Sequence, residues 1–283
     1  MRKIMFLIVI ILNGIILINA CKKEKTVDQT DYDIQTSLDN SLAEGIFNDV
    51  SNIAGQAIEN DSLTSYRLEN PQNTLLSTCA TITNTLNDSG GGDIIINFGS
   101  SNCLCLDERF RRGIININFT GAYSDSGTVI TINFESYFVG KDSTQMFEVA
   151  GSKSVTNNGY NTAGNLNFSI SVNGQLINAN GISMDWSSVR NRELIFGGNT
   201  PLNWIDDEYV ITGSASGTNF EGNSFTVNIT NGLHIRFCPF ITQGTFELIA
   251  TGKLTRIFDY GNGVCDNNAK VTIGGRTFQI ILR

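Results

Sequence analysis

The chain holds a single histidine, His234, among 283 residues. That scarcity excludes His-rich metal sites and weakens any nucleophile–base scheme, which usually needs an imidazole beside the attacking group. His234 sits in Leu233-His234-Ile235-Arg236-Phe237, opposite the apolar face, and reads as a solvated strand histidine. Charge is scarce too, at 16% of residues with a formal net of −8, so the clustered Lys and Arg that nucleic acid needs are missing. Nucleic acid is therefore not an expected partner. Three prolines are few for a turn-rich chain, which leaves Gly and Asn to supply the bends. Two tryptophans, Trp186 and Trp204, read as core residues rather than as sugar-stacking platforms. No apolar run reaches the about 20 residues of a stable transmembrane helix.

The longest such run, residues 4–18, is broken by Asn13 and Gly14 and follows Arg2 and Lys3. A basic start, a short apolar stretch and a small residue before a cut make the layout of a secretory signal. Ile18-Asn19-Ala20-Cys21 resembles the bacterial lipobox, which implies cleavage after Ala20 and acylation of Cys21. Two or more acyl chains give stable anchoring, where one holds a protein only marginally. Lys22, Lys23 and Lys25 then suit anionic headgroups, and residues 21–31 form a polar lipidated tether. Losing Arg2 and Lys3 with the signal takes the net charge from −8 to about −10. The expected place is the outer membrane, lipid-anchored, with the periplasmic face favoured over the cell surface because no acidic run follows Cys21 directly.

The body, residues 32–283, reads as one α+β domain that is mainly β. Residues 31–59 predict the one helix: Ile34, Leu38, Leu42, Ile46, Phe47, Val50, Ile53, Ala54, Ala57 and Ile58 recur at three- and four-residue spacing. Asp31 or Asp33 can cap its start, and Asn60-Asp61-Ser62 can close it. From residue 78 the period becomes two. Ile115, Ile117, Phe119 and Tyr123 alternate with Asn116, Asn118 and Thr120; Ile130, Ile132, Phe134 and Phe138 oppose Thr131, Asn133, Glu135 and Tyr137. Leu166, Phe168, Ile170, Val172 and Leu176 share a face, so Asn173-Gly174 lies inside a strand and the turn falls at residues 178–181. Further turns are expected at residues 124–127, 140–142, 157–164, 220–223 and 274–275. Strands of about 10–13 residues, longer than usual, imply an antiparallel meander forming a curved sheet, half-barrel or barrel, with the helix packed on its dry face.

After Cys21 five cysteines remain, and in an exported protein they are disulfide candidates with one left over. Cys238 ends a strand and Cys265 precedes the last hairpin, so these two are paired. Cys79 flanks the first hairpin on one side, with Cys103 and Cys105 on the other. Cys103-Leu104-Cys105 has no His nearby, so neither a metal nor any other cofactor is expected. Asp206, Asp207 and Glu208 in "NWIDDEYV" evoke a glycosidase pair, but adjacent acids on a strand face opposite ways. In "WSSVRNRE", Arg190 and Arg192 share a face with Trp186, Leu194 and Phe196, and Arg109 and Arg111 alternate likewise in "DERFRRG". Arginines snorkelling over apolar neighbours and pairing with Asp107, Glu108 or Glu193 account for these runs; the sharper reading is an anion or sugar-acid site.

The stretches "NCLCLDERFRRGIININFTGAYSDSGTVITINFESYFVG" (102–140), "SVTNNG" (154–159) and "DYGNGVCDNNAKVTIGGRTFQIILR" (259–283) resemble uncharacterised putative lipoproteins of Bacteroidota. In that family a cysteine stands four residues before the acid opening D-x-R-x-R-x-G. The resemblance thus implies a Cys79–Cys103 link and leaves Cys105 as the free thiol. It implies no activity. The chain is expected to be a non-catalytic envelope lipoprotein with a structural or binding role, engaging a glycan or a partner protein. The other reading is a lipid or acyl-chain carrier with a helix-covered apolar cavity.

Overall fold

The computed structural model describes residues 31–62, 79–87, 90–200 and 204–282, with side chains from 59 to 62 and at 204 left aside. Ala20, Cys21 and the tether up to residue 30 lie outside them. Helix α1 (Gln35–Ser62) begins four residues later than the apolar stripe suggests. Asp33 sets that start, its carboxylate accepting the Gln35 amide at 2.9 Å. The helix runs on through the expected stop at residues 60–62.

Antiparallel strands then follow one another across a single 14-stranded sheet. They are β1 (Thr81–Leu86), β2 (Gly92–Asn97), β3 (Cys103–Leu104), β4 (Phe110–Phe119), β5 (Val129–Gly140), β6 (Phe147–Tyr160) and β7 (Leu166–Ile177). The chain continues with β8 (Ser183–Phe196), β9 (Glu208–Thr218), β10 (Ser224–Ile235), β11 (Gln243–Ala250), β12 (Arg256–Asn262), β13 (Asn268–Ile273) and β14 (Arg276–Ile281). Each strand pairs with its sequence neighbour, except that β3 lies off the path on β4. Among the described residues no ladder joins β1 to β14, so the sheet is not closed. Strand β7 runs through Asn173-Gly174, and the turn falls at Asn178, whose carbonyl accepts the Gly181 amide at 2.9 Å. Strand β6 reaches Tyr160, taking in the first four residues of the expected 157–164 turn.

Alternation sets the core. Ile94, Ile96, Ile115, Ile117, Ile132, Ile170, Val172, Ile211, Leu248, Phe258 and Val271 are buried while their sequence neighbours face out. Two expected phases are corrected. In β5 the inward face passes from Phe134 to Tyr137, so Tyr137 is buried and Phe138 lies beneath Arg112 on the other side. The cause is a bulge: the β4–β5 register shifts here, Ser136 takes φ of 46° and Gly113 opposite takes φ of 85°. A side chain at residue 113 would collide with the Ser136 carbonyl, so the glycine is required. Likewise Phe196 is exposed rather than aligned with Arg192, because the β8–β9 register slips between Leu194 and Phe196.

The helix is not a one-faced cover, as its stripe suggested. From residue 35 to 58 it has no exposed position. Its apolar side packs Phe47 on Trp186, ring centroids 5.3 Å apart, and against Gly174, where a Cβ would strike the Phe47 ring. Its polar side is buried as well, against side chains from β4, β6, β8 and β12. Strands so far apart in the sheet order can reach one helix only if the sheet curves about it. Disulfides Cys79–Cys103 and Cys238–Cys265 tie loops to this body, and Cys105 is free and buried.

Candidate functional site

A polar helix face survives burial only if the sheet answers its hydrogen bonds and charges. Over the first half of α1 it does so for most of them, with Ser37 Oγ and Asn40 Nδ2 left over. Thr36 Oγ1 accepts from the Asn219 amide at 2.9 Å, and Asn40 Oδ1 from the Trp186 indole N–H at 2.9 Å. Ser41 meets Tyr260 Oη at 3.0 Å, and Glu44 holds the Arg190 guanidinium through two bonds of 3.2 and 2.5 Å. One turn further, Asp49 takes Arg111 Nη2 at 2.9 and 2.7 Å, while Asp107 takes the same guanidinium at 2.7 and 2.6 Å. Burial opposes ionisation of Asp49, yet Arg111 and Arg109 beside it hold its carboxyl below the usual carboxylate range.

Beyond Glu44 the half-buried side of the helix floors a cavity of about 790 Å³. Gly45, Asn48, Asn52 and Gly55 form the floor stripe, every third or fourth residue, with Asp49, Ser51 and Gln56 beside them. A Cβ built on Gly45 or Gly55 would meet nothing within 4 Å. Each mid-helix glycine is about 1 kcal/mol less favourable than alanine. Close packing does not explain these two; the open space above them is what a side chain would fill.

Two loops and β8–β10 build the walls. The turn at residues 106–109 is held by Glu108, with φ of 62°, donating its amide to the Cys105 carbonyl at 3.1 Å. From it Arg109 reaches Asp49 at 3.4 Å and donates to the Pro239 carbonyl at 3.1 Å, joining the floor to the opposite rim. That rim, residues 236–241, is pinned by the Cys238–Cys265 disulfide and brings in Phe237, Phe240 and Ile241. Leu106, Tyr123, Tyr209 and Ile235 complete an apolar and aromatic surface facing a polar floor.

Unanswered polar groups occur here, as they do at Ser37, Asn40 and Ser188 elsewhere in the interior. Asn48 Nδ2 is buried without a hydrogen-bond partner. Arg192 is 6% exposed, lines the cavity and stacks over Tyr209 at 3.6 Å from the ring centroid. Its Nη2 donates to Asn52 Oδ1 at 3.2 Å, its Nε has no partner, and no carboxylate among the described residues pairs with it. Lys153, fully buried, donates to the Phe47 carbonyl at 2.6 Å; burial, with Arg192 beside it, pulls its pKa down to about 7. Around the cavity Asp49, Asp107, Glu108 and Asp207 accompany Arg109, Arg192 and Arg236, and Arg192 is a cation there that no described carboxylate meets within ion-pairing distance.

The expected site residues are distributed as follows. Arg109 and Arg192 stand in the cavity wall, and Arg111 and Arg190 are locked to helix acids rather than to Asp107, Glu108 or Glu193 across strands alone. Glu193 instead accepts from Asn161 and Asn165 at 2.8 and 2.7 Å. His234 is half-buried rather than solvated, its Nδ1 2.6 Å from Glu208 Oε1. Asp206 accepts from Thr200 Oγ1 at 2.9 Å and Asp207 from Tyr209 Oη at 3.1 Å, so the acidic triplet is split among three tasks. Cys103, disulfide-bonded, is not available to a metal. Sequence reading missed Gly45, Asn48, Asn52 and Gly55; two glycines on one face of an otherwise strong helix were the signal. No protein-family model matches the chain, and no curated protein or solved structure matches it significantly.

Proposed function

We propose that this chain is a non-catalytic envelope lipoprotein of the Bacteroidota type. It is anchored in the outer membrane through acylated Cys21 and binds a small ligand in the cavity above α1. One observation carries the binding reading: Gly45 and Gly55 keep the helix floor clear beneath a cavity lined by Arg192, which no described carboxylate pairs. A volume of about 790 Å³ lies in the range of small-molecule sites. In this reading the sheet is an open half-barrel filled by the helix, with the site where the filling stops. The periplasmic face of the membrane fits a binding role of this kind. The apolar rim of Leu106, Phe237, Phe240 and Ile241 favours the second reading, an acyl-chain carrier, over a protein-docking surface.

Native mass spectrometry of the full chain, expressed with its signal and extracted in mild detergent, tests both halves at once. The expected result is a mature chain starting at acylated Cys21, with a small-molecule adduct that Gly55→Leu removes. An unacylated precursor contradicts the anchor, and an adduct indifferent to Gly55→Leu contradicts the site. A fatty-acid adduct moves the assignment to the carrier.

A further inference from the structure

We infer that the ligand is an acidic saccharide, bound with one sugar carboxylate on Arg192; this rests on the small-ligand reading above. The argument starts from charge. Glu44 offsets Arg190, and Asp49 with Asp107 offsets Arg109 and Arg111, but Arg192 has no acid within ion-pairing distance among the described residues. A buried, unpaired cation is strongly unfavourable unless something charged and hydrogen-bonding arrives to meet it. The planar guanidinium fork fits a carboxylate through two parallel bonds. Arg192 carries Tyr209 stacked on its face, with one Nη fixed by Asn52. It is oriented before the ligand comes.

The rest of the cavity selects what carries that carboxylate. Glu108 and Asp207 line the same space, so a second negative charge would be repelled and a phosphate dianion is disfavoured. The floor carries the side-chain amides of Asn48, Asn52 and Gln56, which suit hydroxyls rather than methylenes. Facing it are aromatic and aliphatic side chains. A sugar ring has this two-sided character: hydroxyls around its edge and a C–H face that packs on aromatic surface. A fatty-acid chain would lay methylenes against this polar floor. Gly45 and Gly55 then give the pyranose ring room to lie against the helix backbone.

Cellobiouronate and cellobiose differ only by a carboxylate in place of a hydroxymethyl group, so this pair isolates the claim. Isothermal titration of the full, detergent-solubilised chain with each, and with decanoate, is the experiment. Cellobiouronate should bind at least about tenfold more tightly than cellobiose, the gain expected of one charge-assisted contact. Arg192→Gln, which keeps a donor for Asn52, should abolish that preference while leaving weak sugar binding. Gly55→Leu, whose Cβ would meet no atom within 4 Å, should block both sugars with an unchanged or raised melting temperature. Equal affinity for the two sugars, blocked by Gly55→Leu, overturns the carboxylate assignment and leaves the cavity reading intact. Binding of decanoate alone overturns the saccharide in favour of the carrier. If none of the three binds, the inference fails, while the adduct measured by mass spectrometry still judges the cavity.

Discussion

Between Thr36 and Glu44, helix α1 gives its polar side chains to Asn219, Trp186, Tyr260 and Arg190; between Gly45 and Gly55 the same helix looks into open space. Both halves lie inside the same sheet, and both are enclosed. They differ in what the sheet supplies. The first half receives partners for most of its polar groups, with Ser37 Oγ and Asn40 Nδ2 left over, and it lies outside the cavity lining. The second lines the cavity, receives a guanidinium that no described carboxylate pairs, and carries two glycines where alanine would fit. The cavity above those two glycines is the clearest mark of function in the molecule.

The sharpest way to break this comparison is to remove an acid from the sealed half. Glu44→Ala leaves Arg190 buried and uncompensated, and the expected loss is about 3–5 kcal/mol in urea unfolding. Asn52→Ala, in the open half, removes one neutral acceptor that cavity water can replace, and should cost about 1 kcal/mol or less. Similar losses for both would mean that the halves are energetically alike.

Lys153 sharpens the comparison through pH. Its pKa falls from 10.5 in the unfolded chain to about 7 in the fold, through burial and the nearness of Arg192, opposed by Glu44. Between those two values the unfolded chain holds the proton and the folded one does not, so this group makes stability rise with pH across that window. Below about 7 both states are protonated and the full cost of the buried charge remains. Lys153→Met should remove the slope. The stability difference between mutant and wild type should shrink by about 2 kcal/mol from pH 7 to pH 9. A difference independent of pH would show that Lys153 keeps its ordinary pKa.

Much of the architecture can be read from residue order because it depends on local period. Alternation in residues 115–119 and 166–176 marks β4 and β7, and continuity of phase through Asn173-Gly174 places the next turn correctly. Period fails where an extra residue enters: the bulge at Ser136 exchanges Phe138 for Tyr137, and nothing nearby in sequence announces it. The helix stripe was equally legible, but the burial of its other face was not. Its partners come from far along the chain, Arg111 for Asp49 and Arg190 for Glu44, and each taken alone reads as a surface charge. The disulfides were within reach because turn position and the expectation of export constrain them, with the family resemblance choosing Cys103 over Cys105. The cavity was not, since its floor is defined by side chains that are missing.

Three glycines put the central claim to the most direct test. Gly45 and Gly55 face the cavity, whereas Gly174 lies under the Phe47 ring. The measurement is the urea-unfolding stability of Gly45→Ala, Gly55→Ala and Gly174→Ala beside the wild type, without ligand. If the first two glycines are kept for space, each alanine should stabilise the protein by about 1 kcal/mol, the helix-propensity gain, while the same methyl at residue 174 destabilises it. Loss of stability at Gly45 and Gly55 comparable to that at Gly174 would show their surroundings to be packed, and would contradict a helix floor kept clear for a ligand.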